Sequence, residues 1–273
     1  MVTAPGPQGH RFPLSLWLGL LVGFLAIKAV LSLVLGLADK FAMYGTGAYF
    51  LLLLLATGLA VQNALEGTQG RRLFWIFIAA GYGLWALDQW LYVYYGVFQH
   101  TDVPDSSIAD PALFLHLVPL MAAIAMQPHL ERSDRKSYRA TLNFLFLLVF
   151  WVFLYAYLLF PYQYLFWNPT IYDPRFTLLY AVENGALVLI VFLAALRAQA
   201  PWKSIYYHLL GASTLYALSS TLANVTIDLG KAYNGSLYSL AQNAAVCWFL
   251  WVPLYARHLA PARTAAEELD ARR

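Results

Sequence analysis

The sequence carries little charge for its length. Only 11% of its 273 residues are Asp, Glu, Lys or Arg, whereas soluble domains typically contain about 25%. Hydrophobic residues make up 61% of the chain, so too few charged side chains remain to cover a water-facing surface. The composition excludes a soluble globular domain and predicts a protein surrounded by lipid. The net charge of +3 gives no reason to expect a nucleic-acid partner.

Cysteine and the short motifs of common enzymes are also scarce. The one cysteine, Cys247, lies in an apolar run, so neither an intrachain disulfide nor a cysteine-based metal site is expected. HExxH, GxSxG, Walker A and glycine-rich dinucleotide signatures are missing. We therefore predict no catalytic residue, metal ligand or cofactor, and we do not expect the chain as given to be an enzyme.

Long apolar runs are what the sequence has instead. Each is roughly long enough to cross a bilayer as a helix, and backbone in lipid must satisfy its own hydrogen bonds. We predict an all-α polytopic membrane protein, a bundle of eight transmembrane helices. The runs are residues 14–37, 44–64, 73–98, 111–127, 141–161, 176–196, 205–227 and 236–256.

The basic residues predict the orientation of this bundle. Thirteen lie in the two tails and the even-numbered loops, and three lie in the other loops. Positive residues collect on the cytoplasmic side, so both termini are expected in the cytoplasm and the chain in the inner (plasma) membrane. Residues 1–257 would form the transmembrane domain. Residues 258–273 would be a cytoplasmic linker or the start of a signalling helix, or else an ordinary solvated tail.

Aromatic residues gather towards the predicted external side. One interpretation is an interfacial belt, where such rings commonly lie. The other is an aromatic recess open to the outside, capped by the loop at residues 161–175. The residues concerned are Trp90, Tyr92, Tyr94, Tyr95, Tyr162, Tyr164, Trp167 and Tyr172.

Polar side chains inside the predicted spans form a layer. Lys28, Asp88 and Glu183 lie at similar depths, within about one helical turn of each other. Because unpaired burial of an ion is costly, we predict that Lys28 lies within ion-pair reach of Asp88 or Glu183, directly or through one polar group. The candidate ligand site comprises Lys28, Trp85, Asp88, Glu183, Asn184, Asn224, Gln242 and Asn243. The layer could instead only hold helices together, or relay protons.

Two weaker signals concern histidine and glycine. His116 and His208 could suggest haem, but their different depths argue against ligation of one group. Lys28 and Asp88 resemble a retinal Schiff base and counter-ion only superficially. Gly19 and Gly23 form a GxxxG pattern, which permits close helix approach. We favour internal packing over a dimer face for this pattern, and a second copy of the chain remains a candidate partner.

Three segments resemble parts of known bacterial proteins. They are DPALFLHLVPLMAAIAM (110–126), LLYAVENGALVLIVFLAALR (178–197) and DLGKAYNGSLYSL (228–240). Residues 70–257 resemble the multi-span sensor modules that precede histidine kinase or diguanylate cyclase output domains. His116 departs from the pattern, which has an aromatic residue there.

This resemblance implies a sensory input module of the kind found in two-component signal transduction. The expected partners are the lipid bilayer, a small-molecule ligand and a cytoplasmic output domain or partner protein. The alternative function is a small secondary transporter or channel that uses the layer of Lys28, Asp88 and Glu183.

Overall fold

A computed structural model describes residues 13–35, 39–101, 103–104, 107–126, 134–228 and 237–270. The predicted all-α class is confirmed, since these residues form helices and no strand. The helices are α1 (Leu14–Leu35), α2 (Asp39–Glu66), α3 (Gln69–Val93), α4 (Ala109–Leu115), α5 (Leu117–Ala125), α6 (Asp134–Leu158), α7 (Pro169–Arg197), α8 (Trp202–Asp228) and α9 (Leu237–Asp270). π-Helical turns extend α3 (Tyr94–Gln99) and follow α6 (Pro161–Leu165). Some of the basic residues counted above, Arg11 in the N-terminal tail among them, and most of the segment 228–240 lie outside the described residues.

The fourth apolar run forms two helices, which meet at His116. Pro119 explains the interruption, because it has no backbone N–H and its ring crowds the carbonyl of Leu115. Every residue from 117 to 124 is buried. A helix that is apolar on all sides belongs inside a bundle, and α5 contacts α3, α6 and α7.

Large apolar side chains cover much of the outer surface. Leu33 on α1 is 87% exposed, and α6 exposes Phe146, Val149 and Phe153. Such continuous apolar faces are unusual in water and are suited to lipid. Among the described residues, four helical segments are long and apolar enough to cross a membrane: Leu14–Val34, Gly45–Glu66, Leu142–Leu165 and Pro169–Arg197.

The centre of the bundle is built on α3 and α9. Helix α3 packs against α2, α4 and α5, and α9 packs against α1, α2 and α8. Aromatic rings join the two helices. Tyr82 and Trp85 meet Phe249 with ring centroids 5.7 and 5.8 Å apart. Residues on α3 and α9 therefore pack directly against each other at the middle of the molecule.

Glycine permits the close approach of α3 to the α4–α5 pair. A Cβ at Gly81 would lie 2.7 Å from the Leu120 side chain and 2.9 Å from the His116 carbonyl oxygen. By contrast, a Cβ at Gly19 or Gly23 would meet nothing within 4 Å. The described residues therefore give the internal-packing interpretation of the GxxxG pattern no support.

Candidate ligand-binding site

A cavity of about 230 Å³ lies between seven of the helices, and we call it the inner cavity. Its wall combines one acid, one base, amides, hydroxyls and aromatic rings. The lining residues are Lys28, Gly45, Thr46, Tyr49, Trp85, Asp88, Gln89, Tyr92, Leu113, Tyr180, Tyr216, Ser220, Asn224, Ser239, Gln242 and Asn243.

Asp88 is the acid of the inner cavity. Helix α3 places Trp85 one turn before it and Tyr92 one turn after it, so that all three line the cavity. Asp88 is only 1% exposed. Its Oδ2 accepts a hydrogen bond of 2.8 Å from Gln89 Nε2, whereas its Oδ1 has no partner among the described residues. A buried carboxylate oxygen is thus left available to whatever occupies the cavity.

Lys28 is the base of the inner cavity and comes from α1. It is 8% exposed, and its Nζ lies 3.5 Å from where a Cβ on Gly45 would stand. The expected direct ion pair is not formed. Among the described residues, no salt bridge involves Lys28. Lys28 and Asp88 therefore share a cavity without contacting each other.

The structure brings six of the eight predicted site residues to the inner cavity. These are Lys28, Trp85, Asp88, Asn224, Gln242 and Asn243. Asn243 on α9 donates from Nδ2 to the Ser239 carbonyl at 2.7 Å. Its Oδ1 has no partner in the described part of the chain. The amide thus offers the cavity a second acceptor besides Asp88.

Glu183 and Asn184 lie outside the lining. Glu183 is fully buried on α7, and neither carboxyl oxygen has a hydrogen-bond partner among the described residues. Asn184 donates to the Tyr180 carbonyl at 2.9 Å. Tyr180, one turn earlier on α7, does line the cavity. Of the two predicted acids, therefore, only Asp88 lines the inner cavity.

Three aromatic residues of the lining, Tyr49, Tyr180 and Tyr216, were not predicted from the sequence. Trp85 packs against Tyr216 with centroids 4.5 Å apart and against Tyr49 at 5.7 Å. The hydroxyl of Tyr216 is hydrogen-bonded to that of Tyr180. The helical spacing of Tyr180 from Glu183 was a usable signal for one of them. Tyr49 and Tyr216 lie at helical spacing from no charged residue of the predicted layer and carry no such signal.

His116 packs as an aromatic residue would. Its ring lies 4.9 Å from that of Trp85 and 5.8 Å from that of Tyr216. Its Nδ1 is hydrogen-bonded to the Leu113 carbonyl, and its Nε2 has no partner among the described residues. His208 instead packs on Tyr255 at 4.7 Å. The two histidines do not share a ligand site, and no group of three His, Cys, Asp or Glu residues that could hold a metal occurs in the described ranges.

A second cavity of about 360 Å³ adjoins the first, and we call it the outer cavity. Tyr92 lines both cavities. The outer lining includes Asp110, Trp167, Tyr172 and Asp173. Three residues of the aromatic group discussed above, Tyr92, Trp167 and Tyr172, therefore surround a recess instead of only facing outwards.

Hydrogen bonds fix the wall of the outer cavity. Asp110 at the start of α4 accepts from the Tyr172 hydroxyl at 2.8 Å and from Gln163 Nε2. Gln163 accepts in turn from the Tyr155 hydroxyl at 2.6 Å. The network joins α4, α6 and α7. We call this side of the bundle the Asp110 end.

Helix α9 lacks one of its backbone hydrogen bonds at Pro253. A proline cannot donate to the carbonyl four residues earlier, which here belongs to Phe249. The Tyr82 hydroxyl on α3 donates to that carbonyl at 3.2 Å. Asn63 on α2 donates to the carbonyl of Pro253 at 3.0 Å. Side chains of two other helices thus bond to α9 where Pro253 removes one of its own backbone hydrogen bonds.

Beyond Pro253, α9 is tied to α2 again. Arg257 donates to Glu66 Oε1 at 2.7 Å and to the side-chain oxygen of Gln62. Because these groups are partly exposed, the ion pair contributes little stability by itself. It marks the opposite side of the bundle, which we call the Arg257 end.

Comparison of the chain with protein-family models, with curated proteins and with solved structures gives no match. Function is therefore inferred from the side chains of the site and their physical chemistry.

Proposed function

We propose that the chain is a sensory input module of the inner membrane. Eight helical spans would cross the bilayer, counting α4 and α5 as one, with both termini in the cytoplasm. The Asp110 end would then face outwards and the Arg257 end inwards. A ligand or a change in membrane state would act at the inner cavity, and α9 would pass the change to a cytoplasmic histidine kinase or diguanylate cyclase output domain.

The main support for this proposal is the environment of Asp88. It is buried, it lines a cavity, and one of its oxygens has no partner among the described residues. A position that only packs helices is better filled by Leu or Phe, which need no hydrogen-bond partner. Ionisable residues within a membrane bundle are candidates for function by default.

Helix α9 supplies the link between the two ends. Gln242 and Asn243 line the inner cavity, and Arg257 lies about 21 Å further along the same helix. A ligand shifts a conformational equilibrium only if it binds the two states differently. A ligand that contacts both α9 and Asp88 on α3 would bind the two states differently if these helices move relative to each other between the states.

A small transporter or channel is the second candidate. It is favoured by the break between α4 and α5 and by the adjoining cavities that share Tyr92. Broken helices beside a central site are common in transporters. This alternative predicts that a solute or a proton crosses the bilayer, which the sensor does not require.

The amides Asn243 and Asn184 provide a matched test of the sensor. Both are 3% exposed, both donate to the carbonyl four residues earlier, and only Asn243 lines the inner cavity. Spin labels at Leu65→Cys and His258→Cys, in a Cys247→Ser background, would report the distance between α2 and α9 at the Arg257 end. We expect Asn243→Ala to change the ratio of the populated distances about fivefold and Asn184→Ala to leave it unchanged.

Equal effects of the two variants, or none from either, would contradict the coupling through α9. Asp88→Asn is a second variant in which the distance between the two spin labels can be measured. Proteoliposomes loaded with a pH-sensitive dye test the alternative. Proton flux that disappears in Asp88→Asn would favour the transporter.

A further inference from the structure

The inner cavity holds two opposite charges that do not pair. Asp88 and Lys28 both line it, and both are more than nine-tenths buried. The described residues contain no ion pair that involves either one. Opposite charges at low dielectric attract strongly and would close on each other unless the scaffold holds them apart. Their helices, α3 and α1, therefore present an acid and a base to the space between them.

We propose that the inner cavity binds a small zwitterion, with its ammonium group at Asp88 and its anionic group at Lys28. This inference rests on the proposed function, in which the inner cavity is where the signal is bound. A simple cation would be repelled by Lys28, and a simple anion would be repelled by Asp88. Only a ligand with both charges satisfies both residues.

The surroundings of Asp88 suit an ammonium group. Trp85, Tyr49 and Tyr216 form a cluster of rings beside it, with Trp85 and Tyr216 centroids 4.5 Å apart. Aromatic faces attract ammonium groups, including methylated ones. The unpartnered Oδ1 atom of Asp88 is an acceptor for the ammonium group. This acceptor and the rings together define the cation end of the site.

The size of the cavity limits the ligand. At about 230 Å³ it is smaller than the pockets of about 300–1,000 Å³ that bind drug-sized ligands. Two sources offer the required chemistry. One is a free amino acid or betaine that enters from the outer cavity. The other is the head group of phosphatidylethanolamine, which reaches the site from the bilayer.

The test uses the full chain in nanodiscs made only of phosphatidylglycerol, which contributes no ammonium group. The probes are glycine, proline and trimethylglycine, compared with choline and acetate as singly charged controls. In a separate arm the nanodiscs also contain phosphatidylethanolamine. Tryptophan fluorescence and calorimetry measure binding. We expect one zwitterion, free or lipid, to bind at least about tenfold more tightly than either control.

Variants of Lys28 and Asp88 test which residue binds each charged group of the zwitterion. Lys28→Met should weaken zwitterion binding about tenfold or more and shift the preference towards choline, whereas Asp88→Asn should shift it towards acetate. Glu183→Gln, outside the lining, should change neither. Should Lys28→Met fail to fold, Gly45→Phe keeps both charges and fills the space beside Lys28 Nζ. It should reduce binding about tenfold, and Gly45→Ala should preserve it.

Three outcomes overturn the inference: a singly charged control that binds as tightly as every zwitterion, unchanged preferences in both charge variants, or no binding in either arm. The spin-label measurement requires no ligand. Its failure would therefore overturn the sensor proposal, whereas failure of the binding panel alone would overturn only the ligand class.

Discussion

Helices α3 and α7 each carry a buried acid, but the two acids have different surroundings. Asp88 on α3 lines the inner cavity and accepts a hydrogen bond from Gln89. Glu183 on α7 lines neither the inner nor the outer cavity and has no hydrogen-bond partner in the described residues. Burial of a polar group is therefore insufficient to identify a site. What separates the two acids is access to a volume that a ligand can fill.

The largest expected effect concerns the contact that positions Asp88. In Gly81→Ala the new Cβ would press on Leu120 and on the His116 carbonyl, so α3 must move relative to α4 and α5. We expect the free energy of unfolding to fall by about 3 kcal/mol, as measured by tryptophan fluorescence during titration with SDS in mixed micelles.

Gly83→Ala is the matched control for this prediction. A Cβ there would make only an ordinary contact, 3.9 Å from Thr57, and alanine favours the helix by about 0.5–1 kcal/mol. Equal losses in the two variants would show that close approach at Gly81 does not position α3.

The next expected effect is a gain in stability at Glu183. Glu183→Leu removes two buried oxygens that have no partner among the described residues and keeps a side chain of similar size. We expect the free energy of unfolding to rise by about 2 kcal/mol in the same titration. Glu183→Gln, which keeps polar atoms there, should bring no gain. A loss of stability in Glu183→Leu would mean that Glu183 is solvated or paired, and the contrast with Asp88 would disappear.

The smallest expected effect is a coupling energy that involves Lys28. It shares the inner cavity with Asp88 but not with Glu183. A double-mutant cycle of Lys28→Met with Asp88→Asn should give about 1 kcal/mol of coupling, and the cycle with Glu183→Gln less than about 0.3 kcal/mol. Comparable coupling in both cycles would place the three charges in one network, as their depths in the sequence first suggested.

Much of the fold was predictable because run length and apolar content determine which segments are helical in lipid. The break at His116 was less visible. Pro119 signals it, but the geometry depends on packing against α3, where Gly81 admits the His116 carbonyl.

The site was predictable in part. Counting residues along each predicted span gives the depth of a side chain, but it does not give the residues that surround it. Depth correctly grouped Lys28 with Asp88. It could not separate Glu183 from Tyr180, which differ by about 4.5 Å along α7, although only Tyr180 lines the inner cavity. Tyr49 and Tyr216 reach the site because α2 and α8 pack beside α3 and α9, and no local pattern encodes that arrangement.

The enclosure of α5 has a consequence for biosynthesis. The segment Ala109–Ala125 is a short apolar helix pair that emerges from the ribosome after α3 but before α6 and α7, which also pack against it. Until α6 and α7 have been made, α5 lacks two of the helices that cover it, and Asp110 lacks Gln163 and Tyr172. Nascent chains that end before α7 should therefore expose this segment to membrane proteases. Synthesis of α7 is therefore the step that completes the enclosure of α5.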